Sequence, residues 1–105
     1  MTTKALPLRH IHIPAVNGAC LLRFPALLQR WLPDGRIIGG EWVARNPTRA
    51  DRHAGSFKIN MTTGRWADFA TSDKGGDPVS LYAYLNGLSQ IAAARELIET
   101  WGVTA

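Results

Sequence analysis

Cysteine is almost missing from this sequence, since Cys20 is the only one among 105 residues. The chain therefore cannot close an internal disulfide, and a zinc site built on paired cysteines is excluded. Cys20 lies in an apolar run, which indicates burial of the thiol and not nucleophilic catalysis. His10 and His12 alternate on one short segment, but two imidazoles without a third ligand make a poor metal site. We therefore expect neither a metal ion nor another cofactor.

Long hydrophobic runs are missing as well. No apolar stretch approaches the roughly 20 residues of a membrane span, and the N-terminus has no signal-peptide apolar segment. We expect a cytoplasmic protein that makes no membrane contact. Spaced carboxylate pairs for acid–base or two-metal chemistry are also lacking, and no serine has a histidine in a recognisable arrangement. The chain is therefore not expected to be an enzyme on its own.

Charge is what the sequence does have, and it is mainly positive. Twelve Lys and Arg residues against eight Asp and Glu residues give a net charge of +4. Such an excess favours an anionic partner, of which nucleic acid is the commonest. An ordinary basic soluble protein is the alternative that charge alone leaves open. Apolar residues make up 46% of the chain and charged residues 19%, which is typical of one globular domain of this length.

The first half of the chain predicts a tail, a helix and a strand. Pro7 and Pro14 interrupt residues 1–18, which we expect to form a flexible N-terminal tail before a single domain over 19–105. A helix is predicted over 25–32, because Pro25 suits a first helical turn. A strand is predicted over 36–45, with a bulge or bend at Gly39-Gly40.

The centre of the chain predicts a β-hairpin. Residues 56–61 and 65–70 alternate between apolar and polar, and Thr62-Thr63-Gly64 suits a three-residue loop. This register pairs Ile59 with Ala67 and Phe57 with Phe69. The predicted core face is then Phe57, Ile59, Met61, Ala67 and Phe69, and the opposite face is Lys58, Asn60, Trp66 and Asp68.

The last third predicts two helices. Asp77 suits the N-cap of a helix that begins at Pro78, Gly87 suits its left-handed C-cap, and Ser89 suits the N-cap of a second helix to about Thr100. The predicted fold class is α+β. It consists of a small antiparallel sheet of about three strands with an N-terminal helix and a C-terminal helical hairpin.

Basic residues of the predicted sheet and its loops are candidates for contacts to nucleic acid. Lys74-Gly75-Gly76 lacks the spacing of a P-loop and is best interpreted as a turn, with Lys74 free to contact a phosphate. Trp66 next to Lys58 suits stacking on an unpaired base. Alternatively, the 25–32 helix covers Trp66 in a second small core, and both interpretations stay open. The candidate nucleic-acid-binding residues are Arg45, Arg49, Arg52, Lys58, Arg65, Trp66 and Lys74.

The order of motifs from Trp42 to Gly102 resembles the N-terminal zinc-binding domain of bacterial and phage DNA primases. The motifs that match are Asn46-Pro47 with Arg49, the segment 55–60, the segment 66–69, Lys74-Gly75-Gly76-Asp77, Tyr82, Gly87-Leu88-Ser89 and Ala93-Ala94. The four metal-ligand positions of that family fall at about Asn46, Arg49, Phe69 and Ser72, none of which suits a tetrahedral zinc site.

The resemblance implies a zinc-ribbon-like fold that has lost its metal. It implies a module that binds single-stranded DNA template in a primase or primase–helicase-like replication protein of a phage, plasmid or integrated element. The partners are then single-stranded DNA and a primase polymerase or helicase domain, and we expect a monomer. The alternative is a protein–protein interaction module that keeps the fold without binding nucleic acid.

Overall fold

The computed structural model of the chain describes residues 11–49 and 55–103. This part is α+β, as predicted, with four helices and one five-stranded antiparallel sheet. The elements are α1 (Ile13–Leu22), α2 (Phe24–Trp31), β1 (Arg36–Ile38), β2 (Glu41–Ala44), β3 (Phe57–Asn60), β4 (Trp66–Asp68), β5 (Asp73–Gly75), α3 (Pro78–Asn86) and α4 (Gln90–Glu99). Within the described ranges, no helix combines the length and the apolar character needed to cross a membrane.

The N-terminal segment is helical where a tail was predicted. Helix α1 starts at Ile13, so the prediction of a flexible tail over 1–18 is wrong from that residue onward, and residues 1–10 lie outside the described part. Pro14 occupies the first turn, where a backbone N–H has no helical partner and its loss costs little. His12 precedes the helix, and its Nδ1 accepts a hydrogen bond from the Ala15 N–H at 3.3 Å.

The five strands follow one another in the sheet in chain order. The segment predicted as one strand over 36–45 forms two strands, because Gly39 and Gly40 both have positive φ, 57° and 79°. Two successive left-handed residues are what a tight two-residue hairpin turn requires. This hairpin and the short strand β5 account for the difference from about three predicted strands.

The register between β3 and β4 differs by one residue from the prediction. Ile59 pairs with Trp66, and Phe57 pairs with Asp68. The hairpin loop has four residues instead of three because Asn60 holds it: its Oδ1 accepts from the N–H groups of the next turn residues, Thr62 and Thr63, at 2.9 Å each. A slip of one residue exchanges the two faces of a strand.

Two apolar clusters form the core. One lies between the sheet and helices α2 and α3, and the other lies among α1, α3 and α4. Trp66 belongs to the first cluster and is only 6% exposed, whereas Phe69, predicted in the core, is 71% exposed. The first cluster contains Phe24, Leu28, Leu32, Trp42, Ala44, Phe57, Ile59, Trp66 and Leu81.

The helical hairpin confirms the predicted caps. The side chain of Asp77 accepts from the Ser80 N–H at 2.8 Å, and the Ser80 hydroxyl completes the reciprocal capping box. Gly87 closes α3 at φ 65°, and Ser89 Oγ accepts from the Ala92 N–H at 3.1 Å. The inner face of the sheet packs against α2 and α3, and Lys58, Ala67 and Lys74 share the opposite, outer face.

Candidate nucleic-acid interface on the outer sheet face

Two lysines flank a small residue on the outer face of the sheet. Lys58 on β3 pairs with Ala67 on β4, and Ala67 pairs with Lys74 on β5. Side chains at paired positions share one face, and neighbouring strands lie about 4.8 Å apart, so the two lysine Cα atoms are about 10 Å apart. Val43 on β2 pairs with Lys58 on β3 and with Arg36 on β1, so Arg36 lies in the same row at the other edge of the sheet.

An exposed aromatic ring lies next to these lysines. The Phe69 N–H donates to the Ser56 carbonyl at 2.9 Å, which extends the β3–β4 ladder by one residue and keeps the ring on the outer face. The Lys58 Nζ atom lies 5.8 Å from the centroid of that ring, a cation–π geometry. Together with Arg65, these side chains line a shallow depression of about 360 Å³, whose lining contains Glu41 as its acidic residue.

The structure thus brings Lys58, Arg65 and Lys74 together around the depression, and Trp66 contributes to its lining although the residue is almost fully buried. Trp66 faces the helices, where its Nε1 donates to Ser80 Oγ at 3.0 Å and its ring lies 4.6 Å from that of Tyr84. Of the two interpretations of Trp66, burial in a second core that includes α2 is the one observed. Sequence reasoning missed Phe69 as a surface residue. The exposure of Phe69 could have been predicted from Asn60, which lies just before the turn and sets the length of the loop.

Arg45, a candidate phosphate contact, directly follows β2 and is held by an ion pair with Asp34. Its Nε lies 2.9 Å from Asp34 Oδ2, and its backbone N–H donates to the same atom. Partial burial raises the pKa of Asp34, but the hydrogen bonds from Arg45 outweigh this and lower the pKa overall. The side chain of Arg45 remains half exposed. Arg52 lies outside the described residues.

Arg49 is held by a second, more buried carboxylate. Asp68 is fully buried, and its Oδ2 accepts from Arg49 Nε at 3.0 Å and from Asn46 Nδ2 at 2.9 Å. Its Oδ1 accepts from the Ala70 N–H at 2.9 Å. Asn46 also donates to the Tyr84 hydroxyl at 2.9 Å. We call Asp68, Asn46, Arg49 and Tyr84 the Asp68 cluster.

The Asp68 cluster keeps its carboxylate ionised. Burial alone raises the pKa of Asp68, but hydrogen bonds from Asn46, the Ala70 N–H, Arg49 and Ser56 stabilise the anion and lower its pKa to about 2. The charge is therefore neutralised by Arg49 within the fold, and Arg49 contributes less to an outer basic surface than Lys58 does.

The residues at the four zinc-ligand positions of the resembled family do not fit a metal ion. Asn46 and Arg49 converge on Asp68, the ring of Phe69 is exposed, and Ser72 donates its N–H to the Asp68 carbonyl at 2.8 Å. A guanidinium is a cation and donor, so it repels zinc. Across 11–49 and 55–103, no three His, Cys, Asp or Glu side chains are grouped to hold a metal. The cluster connects the 46–49 loop, β4 and α3 through hydrogen bonds.

Comparisons with known proteins give no match: no family model, curated protein sequence or solved structure is significantly similar to this chain. The resemblance to the primase zinc-binding domain therefore stays a prediction that rests on the motifs quoted above. A hypothesis about what the protein binds therefore depends on the chemistry of the outer sheet face.

Proposed function

We propose that this chain is a non-catalytic, monomeric module that binds single-stranded DNA through the outer face of its sheet. The observation that carries the proposal is the placement of Lys58, Arg65 and Lys74 around the exposed ring of Phe69. The parent activity we propose is that of a primase or primase–helicase-like replication protein, with a polymerase or helicase domain as partner. Such a module acts in the cytoplasm.

The chemistry of this face suits an unpaired strand better than a duplex. Proteins that bind single strands without sequence preference combine basic groups along the backbone path with aromatic rings on which bases stack. Phe69 offers a ring that is mostly exposed, and a base inside a duplex would first have to leave its stack, at a cost of a few kcal/mol, to reach it. Lys58 and Lys74 lie on either side of Ala67, which leaves space for a strand between two phosphate contacts.

The test is fluorescence anisotropy of a labelled oligothymidine with this protein at low and moderate salt. We expect Phe69→Ala to lose the stacking of one base, about 1–3 kcal/mol, which is roughly 5- to 150-fold in affinity. We expect each of Lys58→Ala and Lys74→Ala to reduce the slope of log affinity against log salt by about 0.7, the value for one phosphate contact on a single strand.

Arg45→Ala is the matched control, because it removes the same charge from a side chain that Asp34 already neutralises. It should change the affinity less than either lysine variant. Trp66→Ala is unsuitable as a probe, since it removes a core side chain. Absence of binding at low salt, or equal losses in Arg45→Ala and Lys58→Ala, would contradict the proposed site.

A protein–protein interaction module is the second candidate, and the β1–β2 hairpin favours it. Ile37 and Ile38 are 60% and 53% exposed on the edge strand β1. Exposed apolar residues on a sheet edge are a common feature of docking surfaces. This function predicts no oligonucleotide affinity at low salt. It also predicts that the double variant Ile37→Ser, Ile38→Ser weakens association with a co-encoded polymerase or helicase domain, which the Phe69→Ala variant leaves unchanged.

A further inference from the structure

A second concave site lies where the C-terminal ends of the helices meet. Helix α2 ends at Trp31, α3 ends at Asn86, and Trp101 follows the end of α4. These residues line a cavity of about 310 Å³ with Arg30, Pro47, Tyr82 and Leu85. Small-molecule sites span about 300–1,000 Å³, so this cavity is large enough for one small ring system. We call it the Trp31 pocket.

The aromatic walls of the Trp31 pocket are fixed in position. The ring of Trp31 lies 5.1 Å from that of Tyr82 and 6.1 Å from that of Trp101. The Tyr82 hydroxyl accepts from Trp101 Nε1 at 2.9 Å and donates to Glu96 Oε1 at 2.9 Å. These hydrogen bonds hold Tyr82 and Trp101 before any ligand arrives, which lowers the entropic cost of binding.

The polar groups of the pocket have unused hydrogen-bonding capacity. Trp31 Nε1 is buried and has no hydrogen-bond partner among the described residues, so this N–H is closed to solvent and Trp31 offers the pocket its ring and not its donor. Asn86 uses one amide hydrogen on the Tyr82 carbonyl at 3.0 Å. Its amide also carries a second hydrogen and an oxygen. Arg30 lies with its guanidinium carbon 5.3 Å from the centroid of the Trp101 ring.

We propose that the Trp31 pocket binds a single unstacked nucleobase, whose sugar phosphate reaches Arg30. A nucleobase is a planar ring with both donors and acceptors on its edge, so it matches the aromatic walls and the Asn86 amide together. The three helix C-termini carry partial negative charge, which favours a neutral ring with donor groups inside the pocket. Arg30 supplies the positive charge for the phosphate at the rim. The site does not include any residue of the outer sheet face.

The four tryptophans provide an internal control for the test. In the ¹⁵N-labelled protein each indole N–H gives one resonance in a proton–nitrogen correlation spectrum. Trp42 Nε1 donates to the Leu32 carbonyl and Trp66 Nε1 donates to Ser80 Oγ, and neither tryptophan lines the pocket. On titration with adenosine 5′-monophosphate to about 10 mM, we expect the Trp31 and Trp101 resonances to shift and saturate, as for a dissociation constant of about 1 mM or tighter. Trp42 and Trp66 should stay in place.

Two variants separate this pocket from general attraction of anions. Arg30→Gln should weaken binding of adenosine 5′-monophosphate about tenfold, the effect of losing one charge-assisted contact. Arg36→Gln, on the sheet edge, should leave it unchanged. Ribose 5-phosphate, which lacks the base, should not shift Trp31. Three results would each overturn the proposal. They are equal affinity in the two variants, a shift of the Trp31 resonance by ribose 5-phosphate, and no selective shift of that resonance by either adenosine 5′-monophosphate or an oligothymidine that ends in one adenine.

The source of the base is decided by a second titration. If the pocket binds the end of a DNA strand, an oligothymidine that ends in one adenine shifts the Trp31 resonance. If the pocket binds a free nucleotide, adenosine 5′-monophosphate alone shifts that resonance. Both results support the pocket. The double variant Lys58→Ala, Lys74→Ala keeps the response to the mononucleotide. Failure of the outer sheet face is thus distinguishable from failure of the pocket.

Discussion

Replacement of Asp68 by Asn should destabilise the domain far more than any surface change. Asn is nearly isosteric with Asp, so the substitution leaves no cavity. If its oxygen keeps the bond to the Ala70 N–H, its NH₂ group must face Asn46 Nδ2 and Arg49 Nε, which are donors at 2.9 and 3.0 Å. The buried Asn46 amide and the partly exposed Arg49 guanidinium then lose this acceptor, and Arg49 loses its counter-charge.

We expect Asp68→Asn to lower the free energy of unfolding by about 3 kcal/mol, the cost of breaking a buried, hydrogen-bonded ion pair. Domains of this size are stable by about 5–15 kcal/mol, so this is a large fraction. In urea, with an m-value of about 1.5 kcal/mol/M, the midpoint followed by circular dichroism should fall by about 2 M.

Asp34→Asn provides the matched control for Asp68→Asn. The substitution is chemically identical and also removes an Arg partner, at 2.9 Å from Arg45, but at the surface. Exposed pairs contribute at most about 1 kcal/mol, so this midpoint should change little. Equal losses in the two variants would refute the reasoning that the buried Asp68 cluster stabilises the fold more than the exposed Asp34–Arg45 pair does.

The same carboxylate predicts loss of stability in acid. The pKa of Asp68 in the folded protein is about 2, below its ordinary value of 3.8, so the folded state binds its proton less readily than the unfolded state. The stabilisation is therefore present above about pH 4 and is lost as the pH falls towards 2. The shift corresponds to about 2 kcal/mol. Urea midpoints measured from pH 6 down to 2 should fall more steeply for the parent protein than for Asp68→Asn.

Three further predictions concern single positions. A methyl group on Gly75 would clash with Trp66 Nε1, whereas one on Gly76 meets nothing within 4 Å. Gly75→Ala should therefore lower the free energy of unfolding, measured by urea denaturation, by about 1–3 kcal/mol, and Gly76→Ala should leave it almost unchanged. Ser72 has a φ of 70°, a left-handed conformation that costs a side chain about 1 kcal/mol, so Ser72→Gly should raise the melting temperature by about 4 °C in calorimetry. Burial raises the pKa of Cys20 to about 12, so a thiol reagent at pH 8 should label it only on unfolding; rapid labelling of the native protein would contradict its burial.

The helices could be predicted because their signals are local. Pro25 in a first turn, Asp77 before Pro78 and Gly87 at a left-handed C-cap act within a few residues of where they stand. Pro14 carries the same signal as Pro25, and the tail prediction failed there because Pro14 was taken as a helix breaker and not as a first-turn residue. A proline favours a helix in its first turn and breaks the helix in its interior, so its position decides the effect.

The sheet could be predicted only in part, because its register depends on one side chain and its pairing on distant residues. Asn60 lengthens the loop by one residue, and this exchanged the positions of Trp66 and Phe69 relative to the core. Strand β5 has no apolar side chain to mark it, since Asp73-Lys74-Gly75 is ordered by pairing with β4. The bond between Arg49 and Asp68 joins positions 19 apart, beyond what spacing can reveal.

The stability of the Asp68 cluster and the proposed DNA-binding face are two consequences of one register. Successive residues of β4 alternate between faces, so the pairing that turns Trp66 and Asp68 towards the helices also turns Ala67 and Phe69 outward. A slip by one residue would bury Phe69 and leave the Asp68 carboxylate without Asn46 and Arg49. The hydrogen bonds of Asp68 therefore oppose the slip, and they keep Phe69 beside Lys58. This predicts that Asp68→Asn weakens oligonucleotide binding by more than the fraction of the domain that it unfolds, because the variant lacks the hydrogen bonds that oppose the slip.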